Sequence, residues 1–314
     1  MSSTSTPARP ERGRIRESFE AGPEVRRRQI RAEIAKYLFI AATASAGVVL
    51  LVLLVRIVSQ GWGALDISLL RENISQTESR IADGRAGFYN GIISTLWLVA
   101  IAAGFAIPVG LGASIYLEEY SPDNWFTKIV QVNISNLAGV PSVVYGLLGL
   151  GLFVEFFGRD FLGKSILAGG LTLGLLVLPI IIISAQEAIR AVPLSLRQAG
   201  FALGATPWQV ARHHVLPAAA PGILTGTILA VARAIGETAP VLVAGAALYI
   251  TYVPNSPNDG YSPLPIQVFN LLGNAQADIR QFAAAGIIVM MVLLLLLNSF
   301  AIYLRERANR RVQW

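Results

Sequence analysis

Six stretches of this chain are apolar for long enough to cross a bilayer, and that restricts it to a membrane fold built of helices. A hydrocarbon core about 30 Å thick needs about 20 residues of helix to span it. The six lie at about 36–58, 90–117, 129–157, 166–186, 222–250 and 282–304. Composition agrees: 54% of the 314 residues are hydrophobic and 14% charged, against about a quarter charged in soluble domains. The expected class is all-α and polytopic, with a six-helix transmembrane domain over 36–304. A basic tail over 1–35, largely disordered, precedes it, and a short tail over 305–314 follows.

Lysine and arginine orient the spans. Nine fall between Arg9 and Lys36, and Arg305, Arg307, Arg310 and Arg311 close the chain. The positive-inside rule then puts both termini in the cytoplasm, with Lys128, Arg190, Arg197 and Arg212 on inner loops. The basic N-terminal run reads as a topology anchor that favours anionic membrane lipid, and no nucleic-acid partner is expected.

Several chemistries are excluded. With no cysteine there is no thiol nucleophile or Cys-zinc site. His213 and His214 are neighbours, and neighbours on a helix point apart, so no metal site is expected. "GRDFLGKS" at 158–165 fits the P-loop pattern, yet it joins two spans on the outer face and follows no strand. It reads as a tight turn, and the chain is expected to be no enzyme and to need no cofactor.

The longest inner connection, "EAIRAVPLSLRQAGFALGATPWQVARHHVLPAAAPG" at 187–222, is punctuated as two short helices. Ser195 and Gln198 read as a capping box. Gly204 supplies a left-handed residue after the first helix. Thr206, Pro207 and Gln209 cap a second helix, expected to stop near Leu216, before Pro217 and Pro221. Small residues in this hairpin, 187–221, allow another surface to approach closely.

The fifth span holds "VARAIGETAPV". Arg233 and Glu237 are four residues apart and share a helix face. Each charge costs about 2.5–3.5 kcal/mol at a span centre on insertion scales. They are either a structural ion pair or, the stronger reading, part of a substrate pathway with Thr238. A guanidinium suits an oxyanion. Pro240 cannot donate to the Gly236 carbonyl, so a kink is expected beside the pair.

The hairpin resembles the loop of ABC-importer permeases, E-A-A-x-x-x-G-x(9)-I-x-L-P, which docks on an ATPase subunit. Gln198, Ala199 and Gly200 fall on E-A-A, Gly204 on the glycine, and Leu216 and Pro217 on L-P. Gln replaces Glu, Gly replaces the second Ala, and His214 replaces Ile. "NLAGVPSVVYGLLGL" (136–150), "LTLGLLVLPIIIISAQEAIRAVPLSLRQA" (171–199) and "PGILTGTILAVARAIGETAPVL" (221–242) narrow the likeness to the phosphate-uptake branch, the PstA-type permeases. That resemblance implies half of a translocation pathway for inorganic phosphate in a bacterial plasma (inner) membrane. It also implies three partners: a PstC-like second permease, a PstB-like ATPase dimer that hydrolyses ATP, and a PstS-like phosphate-binding protein. The alternatives are a permease for another oxyanion of the same class and an ion-coupled secondary transporter.

Overall fold

A computed structural model describes residues 23–157 and 163–309. The described residues are helical, with turns and no strand. They form two compact units, one through Arg56 and one from Ile57 onward. Most of α1 (Pro23–Gly61) belongs to the first unit, and it starts within the basic stretch expected to be largely disordered; residues 1–22 lie outside the described part. Its apolar side chains, among them Leu38, Phe39, Val48 and Leu51, are exposed, as a lipid-facing helix requires.

The second unit holds α2 (Glu78–Ala82), α3 (Tyr89–Ile115), α4 (Trp125–Ala138), α5 (Ser142–Gly149), α6 (Ile166–Arg190), α7 (Leu194–Ala202), α8 (Pro207–Val210), α9 (Leu216–Gly236), α10 (Ala239–Val243), α11 (Leu264–Leu272) and α12 (Ala277–Asn309). Five helical stretches among the described residues are long and apolar enough to cross a membrane. A sixth exists only if α4 and the helix of Ser142–Phe156 count together, and they meet at a 104° bend. Pro141 stands at that bend with ψ 137, and the Tyr145 hydroxyl crosses it to donate to the Leu137 carbonyl at 2.8 Å. The third expected span, 129–157, is therefore no single straight helix.

The bundle is centred on α6, of whose side chains Leu176, Val177 and Ile181 are buried in one cluster with Ala106 of α3, Tyr145 of α5 and Ala230 and Ala234 of α9. A second cluster lies at the other end. There Leu69, Ile74 and Phe88 pack with Leu264 and Leu271 of α11 and Ile279 and Phe282 of α12. The connection at 59–89 is thus a folded layer and not a slack loop. Asn90 pins it: its side chain accepts from the Ile74 N–H and donates to the Ile250 carbonyl at 2.7 Å.

The fifth expected span, 222–250, is corrected most. The helix ends at Gly236, Glu237 is extended (φ −78, ψ 117), and α10 restarts for five residues. Beyond Val243 the chain runs in turns to α11. Pro240 explains the interruption: it has no N–H for the Gly236 carbonyl, and its ring crowds that carbonyl.

Candidate functional site

Two places gather the residues singled out by sequence: the interruption after α9 and the hairpin before it. At the interruption, Arg233 Nε donates to Glu237 Oε1 at 3.2 Å. The arginine side chain is 55% exposed and the glutamate 19%. Their depth follows from their neighbours. Ala234 shares a buried cluster with Leu176 and Val177, near the middle of α6. A charged group facing lipid near a span centre carries a penalty, and here the pairing with Glu237 offsets part of it. Thr238 is the first residue beyond the extended Glu237.

The unwound segment is held from one side by α5. A Cβ on Gly146 would lie 2.8 Å from both the Cα and the carbonyl oxygen of Pro240, and 2.9 Å from Val243 Cβ. Only glycine lets α5 come this close to α10. Sequence reading did not connect Gly146 with the site. The one available signal was its place in a quoted motif.

The hairpin is α7, a turn, and α8. Gly204 has φ +80 and open space around it, so its backbone, not crowding, calls for glycine. Thr206 and Gln209 form a reciprocal capping box: the Thr206 N–H reaches Gln209 Oε1 at 2.8 Å, and the Gln209 N–H reaches Thr206 Oγ1 at 3.3 Å. The box expected at Ser195 and Gln198 is absent. Pro193 caps α7 instead, without a side-chain bond, because its fixed φ already suits a helix start. Pro217 does not stop the second helix either. A π turn over Ala211–Val215 runs straight into α9, and the helix continues through Pro217 with that residue's hydrogen bond missing.

The two short helices close on each other where Gly200 meets Val210: a Cβ there would fall 2.8 Å from Val210 Cγ2. Gln198, Ala199 and Gly204 are exposed, Gly200 is buried, and Leu216 and Pro217 are half-buried. Leu203 at the tip is 87% exposed, and Leu194, Phe201 and Trp208 stand exposed beside it.

Sequence reading missed what fastens the hairpin. Glu118 and Glu119 lie in a π turn, Tyr116–Tyr120, at the end of α3. Glu118 accepts two bonds from Arg190, at 2.8 and 2.6 Å. Glu119 accepts from Arg197 of α7 at 2.9 Å. No local pattern announces pairs 72 and 78 residues apart.

A family model described as "Binding-protein-dependent transport system inner membrane component" matches residues 106–312. The "Phosphate transport system permease protein PstA 1" of Mycobacterium tuberculosis strain CDC 1551 is 34% identical over 226 residues, covering 70% of this chain and 71% of that protein. The "Phosphate transport system permease protein PstA" of Haemophilus influenzae is 31% identical over 248 residues, covering 79% and 84%. Among solved structures, a chain of a bacterial ABC transporter involved in the import of the acidic polysaccharide alginate superposes with a TM-score of 0.58 at 14% identity, covering 89% of this chain and 99% of that one. A chain of the MetNI methionine ABC transporter, inward facing, gives 0.55 at 20% identity, covering 71% and 95%. At these identities the structures speak to the fold alone.

Proposed function

The chain belongs to the family of binding-protein-dependent transport system inner membrane components, and from that premise we propose that it is the permease subunit of an ATP-driven phosphate importer. One observation carries the reading beyond family: a membrane-length helix ends at Gly236, and the chain unwinds through the extended Glu237 beside an exposed arginine. Broken helices with freed backbone groups are how transporters build substrate sites. The substrate class comes from the relatives named for phosphate transport. Arg233 offers paired N–H donors to a tetrahedral oxyanion, and Thr238 adds a hydroxyl. Glu237 neutralises Arg233 when the pathway is empty, so an arriving anion competes with a carboxylate for the guanidinium.

The exposed face around Arg233 calls for a second permease across the pathway, and the apolar hairpin tip for an ATPase subunit. ATP closes the ATPase dimer, the hairpin carries that motion to the spans, and the pathway alternates between the two sides. A phosphate-binding protein delivers substrate at the outer layer. Gln198, Ala199, Gly200, Gly204, Leu216 and Pro217 shape the coupling element; ATP hydrolysis lies on the partner.

Purification of the tagged chain from its native membrane tests this. It is expected to recover an ATPase and a second permease. Gly204→Val forces a β-branched residue into the left-handed region at about 1–2 kcal/mol, so ATPase retention should fall about tenfold while the chain stays inserted. Parental retention would refute the docking assignment.

In the proposed orientation both termini are cytoplasmic. Because the chain has no cysteine, single cysteines report cleanly: those at Ser79 and Ser256 should react with an impermeant maleimide from outside, and one at Ser195 only after permeabilisation. Labelling of Ser195 in intact cells would invert the map.

A further inference from the structure

The end of α3 is tied to the end of α6 by one ion pair and to the hairpin by the next. Glu118 grips Arg190 at the end of α6 through two hydrogen bonds, the forked geometry that is the strongest form of this contact. Glu119 grips Arg197 in α7. Arg197 also donates to the Val192 carbonyl at 2.8 Å and the Ile189 carbonyl at 2.9 Å, so one side chain joins α3, the last turn of α6 and α7. The Arg197–Glu119 pair is shielded, with side chains 16% and 9% exposed. Ile189 and Val192, whose carbonyls Arg197 reaches, belong to a buried apolar cluster with Val210 and Val215. A pair in such surroundings is screened far less than one on the surface.

The other route from the hairpin into the bundle is softer. It runs along α8 into α9 through the π turn at Ala211–Val215 and past Pro217 and Pro221. Two prolines and a π turn leave this stretch short of regular helical hydrogen bonds. A push at the hairpin tip is partly absorbed by bending there.

We propose that Glu118, Glu119, Arg190 and Arg197 are positioning residues for energy coupling. They bind the hairpin to α3 and α6, so ATPase motion enters the bundle by a stiff path beside the proline-containing one. A neutral cap would satisfy the carbonyls at the end of α6; the paired carboxylates of α3 add the link between helices. The inference rests on the reading of the hairpin as the docking element of an ATP-driven importer.

The test uses the complete complex in proteoliposomes, with phosphate uptake and ATP hydrolysis measured together. Glu119→Gln should keep the ATPase subunit bound and hydrolysing, while phosphate moved per ATP falls roughly two- to thirtyfold, the range by which substitutions along a coupling route act. Glu118→Arg and Arg190→Glu should each lower that ratio, and the two together should recover most of it. An unchanged ratio in Glu119→Gln and in both single reversals overturns the proposal. So does loss of the complex in all variants including the double reversal, which would make the pairs a folding requirement only. A parent complex without ATP-driven phosphate uptake would overturn the functional reading itself, and the inference with it.

Discussion

Replacing Arg233 and Glu237 together by leucine is expected to give a complex that assembles and carries no phosphate. Arg233→Ala alone is a poor experiment, since it leaves Glu237 without its partner at mid-depth, and an orphaned buried charge can cost about 3–5 kcal/mol. The double change removes both charges and leaves an apolar face that the membrane tolerates. If the pair at 3.2 Å only holds the helix end together, such a variant transports. If it lines the pathway, nothing positive remains to draw an anion through the low-dielectric centre, and uptake falls to background. Arg233→Lys separates charge from shape: it keeps a cation and loses the planar fork, so uptake should be weakened with assembly intact. Uptake normalised to assembled complex decides; near-parental uptake by the double-leucine variant would remove these residues from the pathway.

The second large effect is expected at Gly146. Valine there drives a methyl group into Pro240, whose Cα and carbonyl oxygen already lie 2.8 Å from the position of a Cβ. Backbone atoms cannot rotate away as a side-chain tip can. Either α5 retreats or α10 shifts, at about 1–3 kcal/mol for overpacking. Because α10 begins next to Thr238, a small shift moves the unwound segment. The expected outcome is a folded, membrane-inserted chain with lowered thermal stability and uptake reduced by at least about tenfold, as ångström-scale misplacement of a site can produce. Parental uptake with parental stability would mean that α5 does not support the site.

These particulars show what could be read from the chain alone. The apolar runs and the lysine and arginine pattern are local in sequence, so the membrane class followed directly. Gly204 and the Thr206–Gln209 box were legible for the same reason, since each depends on neighbours within a few residues. Local rules also misled. Ser195 and Gln198 have capping-box spacing, yet Pro193 is the N-cap and Ser195 already lies two residues inside, where it cannot form the box. Pro217 reads as a stop by local rules, but a π turn runs into α9 and the helix continues through it. Pro240 was expected to kink the fifth span; its effect, with the extended Glu237, is a full interruption. What the sequence could not reveal is contact across distance: Glu119 with Arg197, Gly146 with Pro240, and the layer pinned by Asn90. These depend on how the helices pack, and a single sequence holds no local trace of it.

ATP-dependent phosphate uptake by the reconstituted complex, with the binding protein present and the proton gradient collapsed by a protonophore, tests the central claim most directly. An ATP-driven permease predicts uptake that continues unchanged while ATP lasts and ceases without it. Uptake that stops with the proton gradient despite ample ATP, or that proceeds on the gradient alone, would contradict the account.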